Sequence, residues 1–243
     1  MMNQTYDYSV NFGLPKRQKK KIKFVVLHYT GMKNEVSAIN RLQNPKFKVS
    51  SHYLIKKNGE IIILVPDLYE AWHAGISSWK NYSLLNKNSI GIEITNPGHQ
   101  FGYRNFSRKQ IYSLEKLLKN LIKKYQIKKE CVLGHSDISP NRKKDPGEKF
   151  PWRTLAKKRL AWWHDLDQKK IKKFRKIKIS SKIDKTKFIQ NLYKIGYNKL
   201  KGFQFCKNEK FLIKAFQRRF RQDLVDGKID KECFLISKNL LSH

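Results

Sequence analysis

The sequence predicts an α/β fold, a β-sheet packed on helices, followed by a small three-helix domain. Three observations carry this. Short β-branched apolar runs alternate with helical apolar patterns from about Ile22 to Cys131, the mark of a sheet covered by helices. Two of those runs are joined at Asn58-Gly59, the strongest short hairpin signal. Beyond Trp163 the pattern changes to a basic run and then three short helical segments.

Ile22–His28 (IKFVVLH) is short, apolar and β-branched behind a basic run, and reads as the first strand. Val36, Ile39 and Leu42 then stand at helical spacing. HYLIKK and EIIILV form the hairpin, and Ser89–Thr95 (SIGIEIT) is a further buried strand. Ser107 opens a helix, with Gln110 completing a capping box. Its apolar face is Ile111, Leu114, Leu117, Leu118, Leu121, Ile122 and Tyr125. Cys131–His135 (CVLGH) is a last short strand leading into a polar loop. These elements define one α/β domain over 1–168. The basic segment 169–182 has few core candidates and reads as a linker. Residues 183–243 hold three helical patterns: Phe188, Leu192 and Ile195; Phe211, Leu212, Ala215, Phe216 and Phe220; and, from Asp230, Phe234, Leu235 and Leu240. About sixty residues suffice for a small tethered three-helix domain.

Composition narrows the class. Hydrophobic residues make up 40% and aromatics 12% of the 243 residues, which argues for a globular chain over a disordered one. The 53 basic and 19 acidic residues leave a net charge of +34. Such a field attracts polyanions, but the excess is mostly Lys alongside much Ile and Asn, as AT-rich coding also produces. No recognised nucleic-acid-binding motif accompanies it, so no specific nucleic-acid partner is expected. The cysteines Cys131, Cys206 and Cys233 are odd in number and lack a C-x-x-C, against a disulfide framework. No apolar run approaches the ~18 residues of a membrane span. The N-terminus carries no hydrophobic stretch behind its basic residues, which favours the cytoplasm over the periplasm or cell envelope as the expected compartment.

Three potential metal ligands stand at strand ends or in the polar loop: His28, His135 and, ten residues later, Asp145. Strand ends place side chains at the rim of a sheet, where α/β folds build sites. Two imidazoles and a carboxylate suit Zn2+ with a fourth position open, the pattern of a catalytic site. Residue types alone leave open whether the three converge, since a lone strand-end His is more often packed than ligating.

VVLHYT, SSHYLI, AWHAG, SIGIEI and HSDISPNRKKDPGEKFPW, in this order over about Lys21 to Trp163, resemble the type 2 N-acetylmuramoyl-L-alanine amidases. These are related to the phage lysozyme-type amidases and the peptidoglycan recognition proteins. The resemblance implies a mixed central sheet flanked by helices and a zinc-dependent cut of the amide between N-acetylmuramic (or anhydro-muramic) acid and L-alanine. The substrate would be peptidoglycan or a soluble muropeptide. By resemblance, the zinc ligands are His28, His135 and Asp145, the acidic catalytic residue is Glu93 and the conserved lysine is Lys143. The chain shows no departure at these five positions. It also implies that His73 lies beside the substrate, and Trp72 is a candidate for packing on sugar or stem peptide. Asn96 and Arg142 are candidate contacts for stem-peptide carboxylates. His52 reads as a structural or supporting residue. The segment KAFQRRFRQDLVDGKID resembles a small peptidoglycan-binding-like helical domain, spanning roughly Asp184 to Leu241.

The implied chemistry accounts for the residue types. Zinc polarises a carbonyl and activates water, Glu93 moves the proton, and Lys143 stabilises the oxyanion. Glu93 has a plainer reading as a buried carboxylate paired with a base, and Lys143 as a solvated member of NRKK. A non-catalytic peptidoglycan receptor of the same fold is the main alternative; such relatives often lose a ligand, whereas this chain keeps the full set. A basic nucleic-acid-binding protein is the second. A different zinc hydrolase is the third; the sequence lacks H-E-x-x-H for a metalloprotease and the signature of the nucleobase deaminases.

Overall fold

The computed structural model describes residues 4–199 and 205–242. Its strands are β1 Gln4–Tyr6, β2 Phe12–Gly13, β3 Phe24–Tyr29, β4 Tyr53–Ile55, β5 Ile61–Ile63, β6 Glu70–Ala71, β7 Ser78–Trp79, β8 Tyr82–Ser83, β9 Ser89–Ile94 and β10 Val132–Gly134. Its α-helices are α1 Glu35–Gln43, α2 Arg108–Tyr125, α3 His135–Ile138, α4 Trp152–Lys157, α5 Gln168–Lys172, α6 Lys182–Ile195, α7 Phe205–Phe220 and α8 Lys231–Asn239.

Six strands form one mixed sheet in the order β1-β5-β4-β9-β3-β10. β4 and β5 pair antiparallel as the expected hairpin, and the other neighbours run parallel. At its turn the Gly59 N–H donates to the Lys56 carbonyl at 2.9 Å, with Gly59 at φ +89°, a conformation that favours glycine. β3 and β9 pair over six residues, with His28 opposite Glu93.

Side chains alternate between the two faces of a sheet, and the two faces meet different partners. Val25 and Leu27 of β3, with Ile90, Ile92 and Ile94 of β9, enter the core formed with Leu114, Leu117, Leu118 and Leu121 of α2. α2 begins as its sequence indicates. Ser107 Oγ accepts from the Gln110 N–H, and Gln110 Oε1 accepts from the Ser107 N–H; such caps are each worth about 1 kcal/mol. Phe24 and Val26, on the opposite face, share a core with Leu133 and with Phe188, Leu192, Leu212, Phe216 and Ile236 of α6, α7 and α8. A third cluster of Leu42, Leu54, Ile62 and Leu64 lies under α1. His28 and Glu93 continue the second face.

Four details differ from the sequence expectation. Val36 is 77% exposed, and α1 instead buries Ala38 and Leu42. His135 begins the turn of α3 rather than ending β10. β1 adds an edge strand where the sequence suggests no element. The basic segment 169–182, expected as a linker, starts within α5, whose Ile171 is buried in the same core as α6–α8. Residues from 1–168 and from 183–243 both enter this cluster, on one face of the sheet. Cys131 and Cys233 are free thiols; the side chain of Cys206 lies outside the described residues. Among the described residues, no helix is long and apolar enough to cross a membrane.

Candidate metal centre

His28 comes from the carboxyl end of β3, His135 from the first turn after β10, and Asp145 from the following loop. Register in the parallel sheet brings β3 and β10 side by side, so both imidazoles reach one point. His28 Nδ1 and His135 Nδ1 are 2.9 Å apart, and each lies 3.0–3.1 Å from Asp145 Oδ2. The three residues are 1%, 3% and 6% exposed and are a group able to hold a metal ion. The backbone couples two of them, because the Ser136 N–H donates to the Asp145 carbonyl at 2.8 Å.

The hydrogen bonds behind the imidazoles settle their tautomers. Ser89 Oγ donates to the Leu85 carbonyl at 2.6 Å, so it accepts from His73 Nε2 at 3.2 Å. His73 Nδ1 then accepts from His28 Nε2 at 3.0 Å. His135 Nε2 donates to the Ala74 carbonyl at 3.1 Å. Both Nδ1 atoms are left as lone pairs facing each other and a carboxylate oxygen. Such a triangle is favourable only around a cation, and this N, N, O set with oriented outer partners fits zinc. Burial, reinforced by the neighbouring His135, pushes His28 down to about 4, which keeps it neutral and able to ligate at pH 7. In the metal-free site burial opposes the charge of Asp145, but an imidazole proton in the cation's place holds its carboxyl far below the usual carboxylate range.

Glu93 stands beside His28 on β9, and its Oε2 is buried without a hydrogen-bond partner among the described residues. Burial raises its carboxyl to about 8, with Asp145 adding to the rise and Lys143 opposing it. A cleft of about 780 Å³ joins these groups and is lined by His28, Trp72, Glu93, His135, Lys143 and Asp145.

The other expected contacts are distributed differently. His73 lines the cleft but sits behind His28, held between it and Ser89. Gly91 makes room for it: a Cβ there would fall 2.4 Å from the His73 ring. His52 is fully buried; its Nδ1 accepts from the Gly91 N–H at 2.9 Å, so it braces β9 and does not face the triad. Arg142 lines the cleft, yet its Nη2 donates to the Ala74 and Ile76 carbonyls at 3.2 and 2.6 Å. Asn96 does not reach the cleft. Its amide donates to the Arg104 carbonyl and accepts from the Gly98 N–H, and it borders a separate hollow of about 330 Å³. A wall the sequence reading misses is formed by Tyr29 and His99, joined by Tyr29 Oη to His99 Nδ1 at 2.9 Å, with His99 stacked on Tyr103. Tyr29 follows His28 directly, but His99 and Tyr103 lie in a loop without periodicity.

Residues 18–148 match the family described as N-acetylmuramoyl-L-alanine amidase. The amidase AmiD of Escherichia coli K12 is 36% identical over 233 residues, covering 91% of this chain and 83% of AmiD. The chain belongs to the N-acetylmuramoyl-L-alanine amidase family. The 1,6-anhydro-N-acetylmuramyl-L-alanine amidase AmpD of Haemophilus influenzae is 40% identical over 108 residues, 44% of this chain and 56% of AmpD. Among solved structures, E. coli AmiD bound to anhydro-N-acetylmuramic acid-L-Ala-D-gamma-Glu-L-Lys is similar with a TM-score of 0.79 and 34% identity, covering 95% of this chain and 92% of that one. AmpDh3 of Pseudomonas aeruginosa with anhydromuramic pentapeptide gives a TM-score of 0.80 and 30% identity over 98% of both chains. The family match of this amidase encloses the triad, Glu93 and Lys143 and stops before the C-terminal helices. The AmiD and AmpDh3 likenesses extend through those helices.

Proposed function

We propose that this N-acetylmuramoyl-L-alanine amidase holds one zinc ion on His28 Nδ1, His135 Nδ1 and Asp145 Oδ2, and hydrolyses the amide between N-acetylmuramic or anhydro-muramic acid and L-alanine in peptidoglycan-derived muropeptides. The observation that carries it is the convergence of two outward-anchored imidazoles and a carboxylate beside an unpartnered Glu93. The ligands bound to AmiD and AmpDh3 supply the substrate class.

When bound, zinc acts as a Lewis acid on the scissile carbonyl and makes water nucleophilic near neutral pH. The chain's own residues do the rest. Glu93 accepts the proton of the attacking water and passes it to the leaving L-alanine nitrogen, work suited to a carboxyl raised toward neutrality. Lys143, on the cleft wall and close enough to oppose the Glu93 shift, brings positive charge to the developing oxyanion. His73 and Ser89 fix the orientation of His28, and Trp72 gives the sugar or peptide an apolar surface.

The test uses a defined anhydro-muramyl tripeptide and mass analysis of its products. The expected products are the free sugar and the intact peptide, lost on chelation and restored by zinc. Cleavage that persists after complete metal removal overturns the zinc assignment, and any other cut overturns the substrate bond.

A further inference from the structure

The loop that carries two of the three proposed ligands is not held by the amidase core alone. Asp137, two residues after His135, is 2% exposed, and its carboxylate takes three donors. The Gly134 N–H reaches Oδ2 at 2.8 Å from the end of β10. The other two come from the C-terminal segment: Tyr197 Oη donates to Oδ1 at 2.8 Å, and Arg219 Nη1 donates to Oδ2 at 2.9 Å. The Arg219 guanidinium carbon also lies 3.8 Å from the centre of the Trp152 ring at the start of α4. At the other end of the loop, Gln222 Nε2 donates to the Glu148 and Phe150 carbonyls at 2.8 and 2.7 Å. Asp145 lies between these two anchor points and His135 two residues before the first, and the pair is already coupled by the Ser136 N–H on the Asp145 carbonyl.

We infer that the C-terminal helices are a working part of the metal centre: Arg219 and Tyr197, through Asp137, and Gln222, through the 148–150 backbone, position the His135 and Asp145 ligands. The inference rests on the zinc reading of the triad and deepens it. Arg219 and Tyr197 touch neither the ligand atoms nor the cleft, so they are positioning residues. Their effect follows from the geometry of the anchor. A buried carboxylate deprived of its cation rearranges or draws in water, and the α3 turn that presents His135 moves with it. Ligands held within a few tenths of an ångström bind metal more tightly than ligands that must be reordered, and loss of such outer partners costs 10–100-fold in metal affinity.

The experiment measures affinity for zinc alone in the full chain, by competition with a chromophoric chelator at fixed pH, together with the visible absorption of the cobalt(II) form. Arg219→Gln is expected to weaken zinc binding by about 10-fold or more and to alter the cobalt bands. Tyr197→Phe, which removes a single hydroxyl, is expected to weaken it several-fold. Asn191→Ala separates this effect from general destabilisation. The buried Asn191 Nδ2 donates to Ser237 Oγ at 3.1 Å between α6 and α8, away from the ligand loop. Its loss is expected to lower the melting temperature of the metal-free chain while leaving zinc affinity within about twofold. Zinc affinity and cobalt bands unchanged in Arg219→Gln overturn the inference, whatever happens to its melting temperature. A parent chain that binds no zinc at all overturns the metal reading itself.

Discussion

Glu93 and Asp145 are both carboxylates in one cleft, and their surroundings assign them opposite work. Asp145 faces two imidazoles and stays ionised. Glu93 faces none, has an oxygen without a partner, and is raised toward neutrality. Removing each therefore has a different signature. Glu93→Gln keeps shape and metal but cannot carry a proton, so zinc content should stay at one per chain while kcat falls by about 10²–10⁴. Asp145→Ala should lose zinc as well as turnover, because two imidazoles alone are a poor set for this ion. Metal analysis and muropeptide hydrolysis on the same samples check both, and an Asp145→Ala chain with full zinc content refutes the ligand assignment. At this scale the sequence motifs place His28 at a strand end, where the fold brings it to His135 and Asp145. They do not reveal Asn96, whose amide is taken up by the 98–104 turn, or the placement of His73 behind a ligand. Both depend on which atom of a side chain faces which neighbour, and that is decided by contacts distant in the chain.

The element that organises the centre is β9. One of its faces, Ile90, Ile92 and Ile94, packs on α2, while the other presents Ser89, Gly91 and Glu93 to the site. This alternation is readable in SIGIEI, because a period of two admits only one assignment of faces. The reason for Gly91 is not readable there: it is the space occupied by the His73 ring. Gly91→Ala should push His73 off His28 and Ser89, release the His28 tautomer and weaken zinc binding by about 10-fold, with a fall in stability of about 1–3 kcal/mol from overpacking. Chelator competition and thermal unfolding measure the two effects, and unchanged zinc affinity would show that His73 plays no part in orienting His28. The hairpin and the α2 cap are equally local and equally legible. β1 and α5 are not, because β1 is a three-residue edge strand recruited by β5, and α5 is held in place mainly by one residue, Ile171, reaching a core built elsewhere. Their signals come from tertiary packing rather than from periodicity.

At the scale of the whole molecule, the fold buries histidines in neutral form, and this sets its response to acid. His28 is held at about 4, His52 at about 3 and His164 at about 4, and His73 lies well below its ordinary value, each chiefly through burial. Unfolded, all four titrate near 6.5. Between that value and about 3–4 the unfolded chain binds more protons than the folded one, so stability is fully present above pH 6.5 and is lost as pH falls through this window. Each pKa unit is worth about 1.4 kcal/mol, a sizeable part of the ~5–15 kcal/mol of a typical domain. Glu93 has the opposite sign, since its raised carboxyl favours the folded state in acid and costs stability as pH rises from 4.5 toward 8, but it is one group against four. The +34 charge also opposes compactness and grows more adverse in acid, and salt separates the two causes, because it screens surface repulsion and leaves buried groups almost untouched. The metal-free chain should therefore unfold progressively between pH 6.5 and 4 even in high salt, and zinc should raise its melting temperature at pH 7 but far less at pH 4, where protons compete for His28. Thermal unfolding across pH at low and high salt, with and without zinc, checks this. A transition that high salt abolishes would assign the acid response to net charge and not to the buried imidazoles.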